Sequence, residues 1–295
     1  MERLEILLHG YNPSLTQYLI GGFSLGFRLN FVGERCAMDS PNLKSALERP
    51  IVTSAKLQKE CDAGRIVGPF ATPPFSNFRT SPIGLVPKKD PSEFRLIHHL
   101  SYPQGTSVND FIPDHCSTVK YASVGDATKS IQRLGRGCFM AKTDVKSAFR
   151  IIPIYPADYP LLAIRWNNMY YFDRVLAIGF SSSCAISESF STALEWVSLN
   201  LLNASAVLHI LDDFLFITKT KEQCARDLQN FIFMCDYLGE KPVGPDTVLQ
   251  FAEITLDSVL FEALLPEDML AKCRVTLHNF YTRGTVTLKE LHGRY

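Results

Sequence analysis

Residues 207–218, VLHILDDFLFIT, constrain the fold of this chain more than any other stretch. Two apolar runs, 207–211 and 214–217, are dominated by leucine, β-branched and aromatic residues, the composition of strands. Asp212 and Asp213 stand between them, so the segment reads as a β-hairpin with two carboxylates at its tip. Aspartate is a common turn residue, and turn chemistry alone accounts for an isolated pair. Adjacent negative charges beside buried strands are costly, however, unless a cation neutralises them, and a divalent ion is the usual partner.

A third carboxylate lies in matching surroundings. In residues 138–152, CFMAKTDVKSAFRII, positions 139–141 read as a short strand and Asp144 falls where that strand should end. Strand-end acids from two segments, side by side in one sheet, would hold two Mg²⁺ ions about 3.5 to 4 Å apart, the arrangement that clamps both oxygens in phosphoryl transfer. Mg²⁺ prefers hard oxygen donors and accepts one or two carboxylates plus substrate phosphates, and Mn²⁺ would substitute. Asp144, Asp212 and Asp213 are therefore the candidate catalytic and metal-holding residues.

Composition adds bounds rather than a function. A chain of 295 residues is long enough for a large core split into two or three subdomains. Lys+Arg and Asp+Glu are equal at 30 each, so any basic groove for nucleic acid must be local. Eight cysteines without a CxxC pair argue against zinc and for a reduced, intracellular chain in the cytoplasm or nucleus. The first residues, MERLE, lack the pattern of a signal peptide, and residues 18–27 are too short and glycine-rich to span a bilayer. No membrane partner is expected.

Residues 1–49 show no clear periodicity and read as an ordered extension, with the glycine-rich run 21–27 a packed loop. A helix is expected over 54–63, capped by Ser54 and stopped by Gly64. Residues 83–86 and 94–97 read as strands joined by the turn KKDPSE, which gathers Lys88, Lys89 and Arg95 near one tip. Such a tip suits a triphosphate, with Arg a bidentate donor and Lys a point charge, although exposed lysines are also ordinary surface. His98 and His99 read as structural. A helix over 124–134 stops at Gly135. Phe149, five residues beyond Asp144, is either a core aromatic or a wall beneath a nucleotide sugar that excludes a 2′-hydroxyl. Asn167-Asn168 joins strand-like runs 161–166 and 169–172, and LAIGFSSS at 176–183 opens a helix running to about residue 202. At that helix start, Gly179 would let a template base or an incoming nucleotide approach the backbone.

Taken in order, VPKKDPSEFRLIHHLSYPQGTSVND, AKTDVKSAF, LAIGFSSSCAISESFSTALEW, HILDDFLF and LG followed by PDTVLQFAEITLD resemble the reverse transcriptase of DIRS-type retrotransposons, which carry a tyrosine recombinase. The likeness covers roughly residues 21–291. It implies an α+β, reverse-transcriptase-like right-hand polymerase fold. Fingers would occupy 50–138 and the palm 139–265, with 154–174 a finger-side hairpin; 1–49 is an extension and 266–295 the start of a thumb or connection. The implied activity is an RNA-directed DNA polymerase, a nucleotidyltransferase that adds dNTPs to a primer on an RNA or DNA template. Asp144, Asp212 and Asp213 match its catalytic aspartates, with Asp144 and Asp212 the direct metal ligands. Phe149 matches the sugar-discriminating aromatic, Lys88 or Lys89 with Arg95 the triphosphate-binding residues, Gly179 the glycine beside nucleotide and template, and Lys241 the lysine that protonates departing pyrophosphate.

The sequence also departs from that pattern. Ile210 stands where a Tyr is expected, Leu176-Ala177-Ile178-Gly179 lacks the expected proline, and Ser187 replaces an apolar aromatic. Glu240-Lys241 follows a short deletion, and Ala252-Glu253 replaces Leu-Gly. A second function of a different class follows: a catalytically inactive, decayed copy that keeps the fold and at most binds nucleic acid. The ribonuclease H and recombinase regions of such elements are absent from the sequence, so a fragment of a longer polyprotein is expected.

Overall fold

The computed structural model describes residues 2–88, 90, 92–145, 148–235, 243–246, 248–251, 254–260, 262–264, 269–271 and 274–275. Helices α1 (Glu2–Leu7), α2 (Pro13–Leu25), α3 (Lys44–Leu47) and α4 (Pro50–Asp62) precede strands β1 (Ile66–Phe70), β2 (Ile83–Pro87) and β3 (Phe94–His98). Then come α5 (Val124–Leu134), β4 (Phe139–Asp144), β5 (Ala163–Trp166), β6 (Met169–Asp173), α6 (Ser183–Asn200), β7 (Val207–Ile210), β8 (Asp213–Thr218) and α7 (Lys221–Met234). Strands β9 (Val243–Asp246), β10 (Val248–Phe251), β11 (Ile254–Asp257) and β12 (Glu262–Leu264) follow.

The sheet that matters is four-stranded and antiparallel, in the order β7-β8-β4-β9. The unbroken apolar run of β8 is explained by burial on both faces, because successive side chains point opposite ways. Phe214 and Phe216, with Ala141 of β4, join a core with Phe190, Leu194 and Val197 of α6 and Leu228 and Phe231 of α7. Leu215 and Ile217, with Met140, turn the other way onto Ala127 and Ile131 of α5 and Leu256 of β11.

Local signals explain most boundaries. Ser123 and Asp126 form a reciprocal capping box at the start of α5. Asn167 and Asn168 both take positive φ, 50° and 57°, which closes the β5–β6 hairpin in the primed turn that asparagine favours. β6 also pairs with β1, and β2 pairs with β3.

Three expectations need correction. Residues 2–7 and 13–25 form helices rather than an aperiodic extension, and 21–25 lie inside α2, capped by the Asn12 side chain. The helix expected from Ser54 begins four residues earlier, since Pro50 at its first turn has no N–H to leave unpaired; Ser54 instead accepts a hydrogen bond from the Trp166 indole at 2.9 Å. Residues 161 and 162 belong to a 3-10 turn, Pro156–Leu162, ahead of β5. No described helix is long and apolar enough to cross a membrane.

Candidate active site

Pairing of β4 with β8 sets Asp144 directly opposite Asp213, and β7 with β8 sets Ile210 opposite Asp213. Leu211 and Asp212 make the intervening turn. Val145 N–H donates to the Asp212 carbonyl at 2.9 Å, which ties the turn to the end of β4. The three acids are thus gathered at one end of the two central strands, each half-buried. Burial pushes the Asp212 carboxyl above the usual carboxylate range; a backbone hydrogen bond opposes this, the negative charges of Asp213 and Asp144 add to it, and Arg95 counteracts it. Arg95, exposed on β3, therefore lies within electrostatic reach of the acids despite being 117 residues away in sequence, 212 less 95.

Among the described residues, no three His, Cys, Asp or Glu side chains form a ready metal cage. A Mg²⁺ site does not need one, since one or two carboxylates completed by water and substrate phosphates suffice. The hard oxygens of Asp144 and Asp212, beside a surplus of negative charge, fit that donor set.

The remaining sequence candidates divide. Lys88 lies at the β2–β3 turn, exposed, with its ammonium 2.7 Å from Glu93. Phe149 lies on the 3-10 turn Ala148–Ile151, half-buried and packed against the main core. Beside it, Arg150 pairs with Glu60 of α4 at 2.9 Å and Asp173 of β6 at 2.6 Å, fixing the turn against two elements. Burial pushes the Asp173 carboxyl up, yet Arg150 and His98 more than offset this and hold it below the usual range. His98, 3.3 Å from Asp173 and 3.2 Å from the Ala163 carbonyl, is a buried brace, as its lack of metal-ligand spacing suggested. Lys89 and Lys241 lie outside the described residues, as do Glu240 and Ala252-Glu253.

Gly179 has a local reason to be glycine. Its φ is +117°, and a Cβ there would run into the His98 carbonyl oxygen. The backbone that approaches it closely is thus the end of β3, so Gly179 joins the β2–β3 hairpin to the segment opening α6. At that opening the Ser181 and Ser182 hydroxyls are buried without a hydrogen-bond partner. Ser182 also lines a cavity of about 380 Å³ with Tyr18, His115, Lys120 and Glu188, which none of the three acids lines.

Sequence reading missed Glu188, Glu195 and His209. His209 of β7 lies 3.2 Å from Glu188 and bonds Glu195 through its other ring nitrogen. Glu188, Thr192 and Glu195 recur at helical spacing on one face of α6, the signal that would have exposed them.

No protein-family model matches the sequence, and no curated protein does. Solved structures do. A foamy viral protease-reverse transcriptase in complex with dsDNA superposes with a TM-score of 0.62 at 16% identity, covering 92% of this chain and 57% of that one. This chain has a reverse-transcriptase-like fold. A foamy viral protease-reverse transcriptase labelled dRH, also in complex with dsDNA, gives 0.61 over 99% of this chain and 50% of its own, again at 16% identity. The same viral protein with an RNA/DNA hybrid gives 0.59 at 14% identity, over 92% and 37%. The chain therefore spans about half the length of the first two reverse transcriptases it matches.

Proposed function

We propose that this chain is the polymerase region of an RNA-directed DNA polymerase from a DIRS-type retrotransposon, adding dNTPs to a primer on an RNA or DNA template. The register that sets Asp144 against Asp213, with Asp212 in the adjoining turn, carries the reading. Residues 50–138 act as fingers and 139–265 as palm, with 266–295 leading toward a thumb. Asp144 and Asp212 would hold two Mg²⁺ or Mn²⁺ ions, with Asp213 supplying further negative field. Bound there, the ions supply Lewis-acid activation of the primer hydroxyl and neutralise charge on the leaving pyrophosphate.

The chain's own side chains do the rest. Arg95 and Lys88, with Lys89, meet the triphosphate as it enters from the β2–β3 turn. Phe149, held in place through Arg150, closes the space a ribose 2′-hydroxyl would need. Gly179 holds the segment opening α6 close to the end of β3 beside the site, and Lys241 is the proton donor to pyrophosphate. Base selection comes from pairing with the template, while the protein grips backbone charge and shape.

Primer extension with template, dNTPs and Mg²⁺ tests the reading. The parent extends the primer, and Asp212→Asn lowers extension at least 1,000-fold in rate, about 4 kcal/mol of transition-state stabilisation; a parent without extension where a control enzyme works sinks the proposal. That result would favour the inactive nucleic-acid-binding copy, for which the observation is Ser187, 1% exposed on the packed face of α6 where an aromatic is expected.

A further inference from the structure

Leu211, the residue before the acidic pair, has φ +54°, a left-handed conformation that costs a bulky side chain about 1 to 2 kcal/mol. Such a backbone persists only where surrounding contacts over-determine it. In a two-residue turn the first N–H ordinarily has no partner in the ladder, but here Leu211 N–H donates to Glu188 Oε2 at 3.0 Å. Glu188 sits on α6 and is 8% exposed. Its other oxygen lies 3.2 Å from His209 Nε2, and His209 Nδ1 is bonded in turn to Glu195. The His209 ring stacks on Phe214 of β8 at 5.4 Å and 22°. Both carboxylate oxygens of Glu188 are thus engaged, and the acceptor that meets Leu211 is held from two sides.

We propose that Glu188 is a positioning residue for the acidic tip: its carboxylate fixes the Leu211 peptide in the left-handed turn and so sets the direction in which Asp212 presents its oxygens. Asp212 is then bracketed, with its preceding peptide N–H held by α6 and its own carbonyl held by Val145 N–H at 2.9 Å. A buried carboxylate suits the task better than a neutral group, because a hydrogen bond to an ionised acceptor is roughly twice as strong. Glu188 touches no reacting atom; it acts through the backbone. Its catalytic consequence rests on the polymerase reading, whereas the anchoring itself does not.

The two are separated by measuring both in one series. Glu188→Met fills nearly the same volume without an acceptor, and Glu188→Gln retains one. In ¹⁵N-labelled full chain, the parent Leu211 amide should exchange with solvent about as slowly as those of Leu215 and Ile217. Glu188→Met should speed Leu211 exchange at least 100-fold with the other two within threefold, while Glu188→Gln stays within tenfold of the parent. In primer extension, kcat should fall 10- to 100-fold in Glu188→Met with the dissociation constant for primer-template within threefold, and Glu188→Gln should recover most of it. Unchanged Leu211 protection in Glu188→Met overturns the proposal, as does Gln behaving like Met. A loosened amide with unaltered extension in an active enzyme overturns the catalytic consequence. If the parent does not extend primers the polymerase reading falls, and exchange alone decides the anchor. If Glu188→Met fails to fold, a rapidly exchanging Leu211 amide in the parent refutes the anchor and a protected one supports it.

Discussion

Asp212 is held at an energetic disadvantage. Burial, together with Asp213 and Asp144, raises its carboxyl, so its ionised form is less favourable here than in an unfolded chain. The sign follows directly: an acid whose folded pKa is raised weakens the fold when charged, and protonation or neutralisation relieves it. Asp212→Asn should therefore stabilise the metal-free protein, read as a higher midpoint in thermal or urea unfolding. The same substitution that removes extension would raise stability, a trade expected of a site and not of an ordinary turn. Phe149 makes a second test at this scale. Phe149→Ala should raise incorporation of ribonucleotides relative to deoxynucleotides at least tenfold in primer extension, because the ring no longer fills the space of a 2′-hydroxyl. It should also cost about 2 to 4 kcal/mol in stability, since the ring is half-buried against the core. A variant as sugar-selective as the parent would leave Phe149 with its packing role alone.

At the level of elements, the α6–β7 contact is an ionic one set into an apolar interface. Burial would lower the His209 imidazolium's pKa, but Glu188 and Glu195 raise it to about 9 from an ordinary value near 6.5. A base raised on folding contributes stability that is fully present below its unfolded pKa and is lost as pH rises through its folded one. Unfolding free energy should accordingly fall between about pH 6.5 and pH 9, by on the order of 3 kcal/mol, and His209→Gln should flatten that slope in urea titrations. None of this was legible in the hairpin motif, because its partners come from a helix whose polar face has to be read separately. What was legible is local. The Asn-Asn turn, the Gly135 stop and the apolar runs of β4, β7 and β8 act through neighbours a few residues away, so sequence spacing carries their meaning. Glu60, Arg150 and Asp173 illustrate the opposite case. Glu60 and Arg150 are 90 residues apart, and each looks like solvated surface until the fold buries them together. Asp144 and Asp213 fall between these cases: two strand-end acids suggested a shared edge, but only strand pairing could supply their register.

Across the whole molecule, the N-terminal segment is bound into the same core as the acidic hairpin. Leu19, Phe27 and Leu29 share it with Phe214 and Phe216, and residue 27 exchanges backbone hydrogen bonds with residues 153 and 155. The joint is completed by Asp158, which is 0% exposed. Its carboxylate receives Arg28 Nε and Leu29 N–H, both at 2.9 Å, and pairs with Arg35. A fully buried carboxylate is tolerable only while these donors remain, and the two arginines in turn keep partial access to water. Removing the acid therefore costs less than stranding it would. Asp158→Ala, which leaves the buried Leu29 N–H without an acceptor, should lower unfolding free energy by about 2 to 3 kcal/mol; Asp158→Asn, which keeps an oxygen for Leu29 but loses both ion pairs, should lose about 1 to 2. Urea unfolding followed by tryptophan fluorescence, with Trp166→Phe in the background so that Trp196 reports alone, would register the effect at the core itself, because Trp196 of α6 packs against Tyr11 of the N-terminal segment at 5.2 Å. A single transition shifted as a whole would mean that this segment and the acidic sheet unfold together. An early transition in Trp196 alone, with the β4–β8 amides still protected from exchange, would instead make the N-terminal helices a separately melting layer on an autonomous sheet.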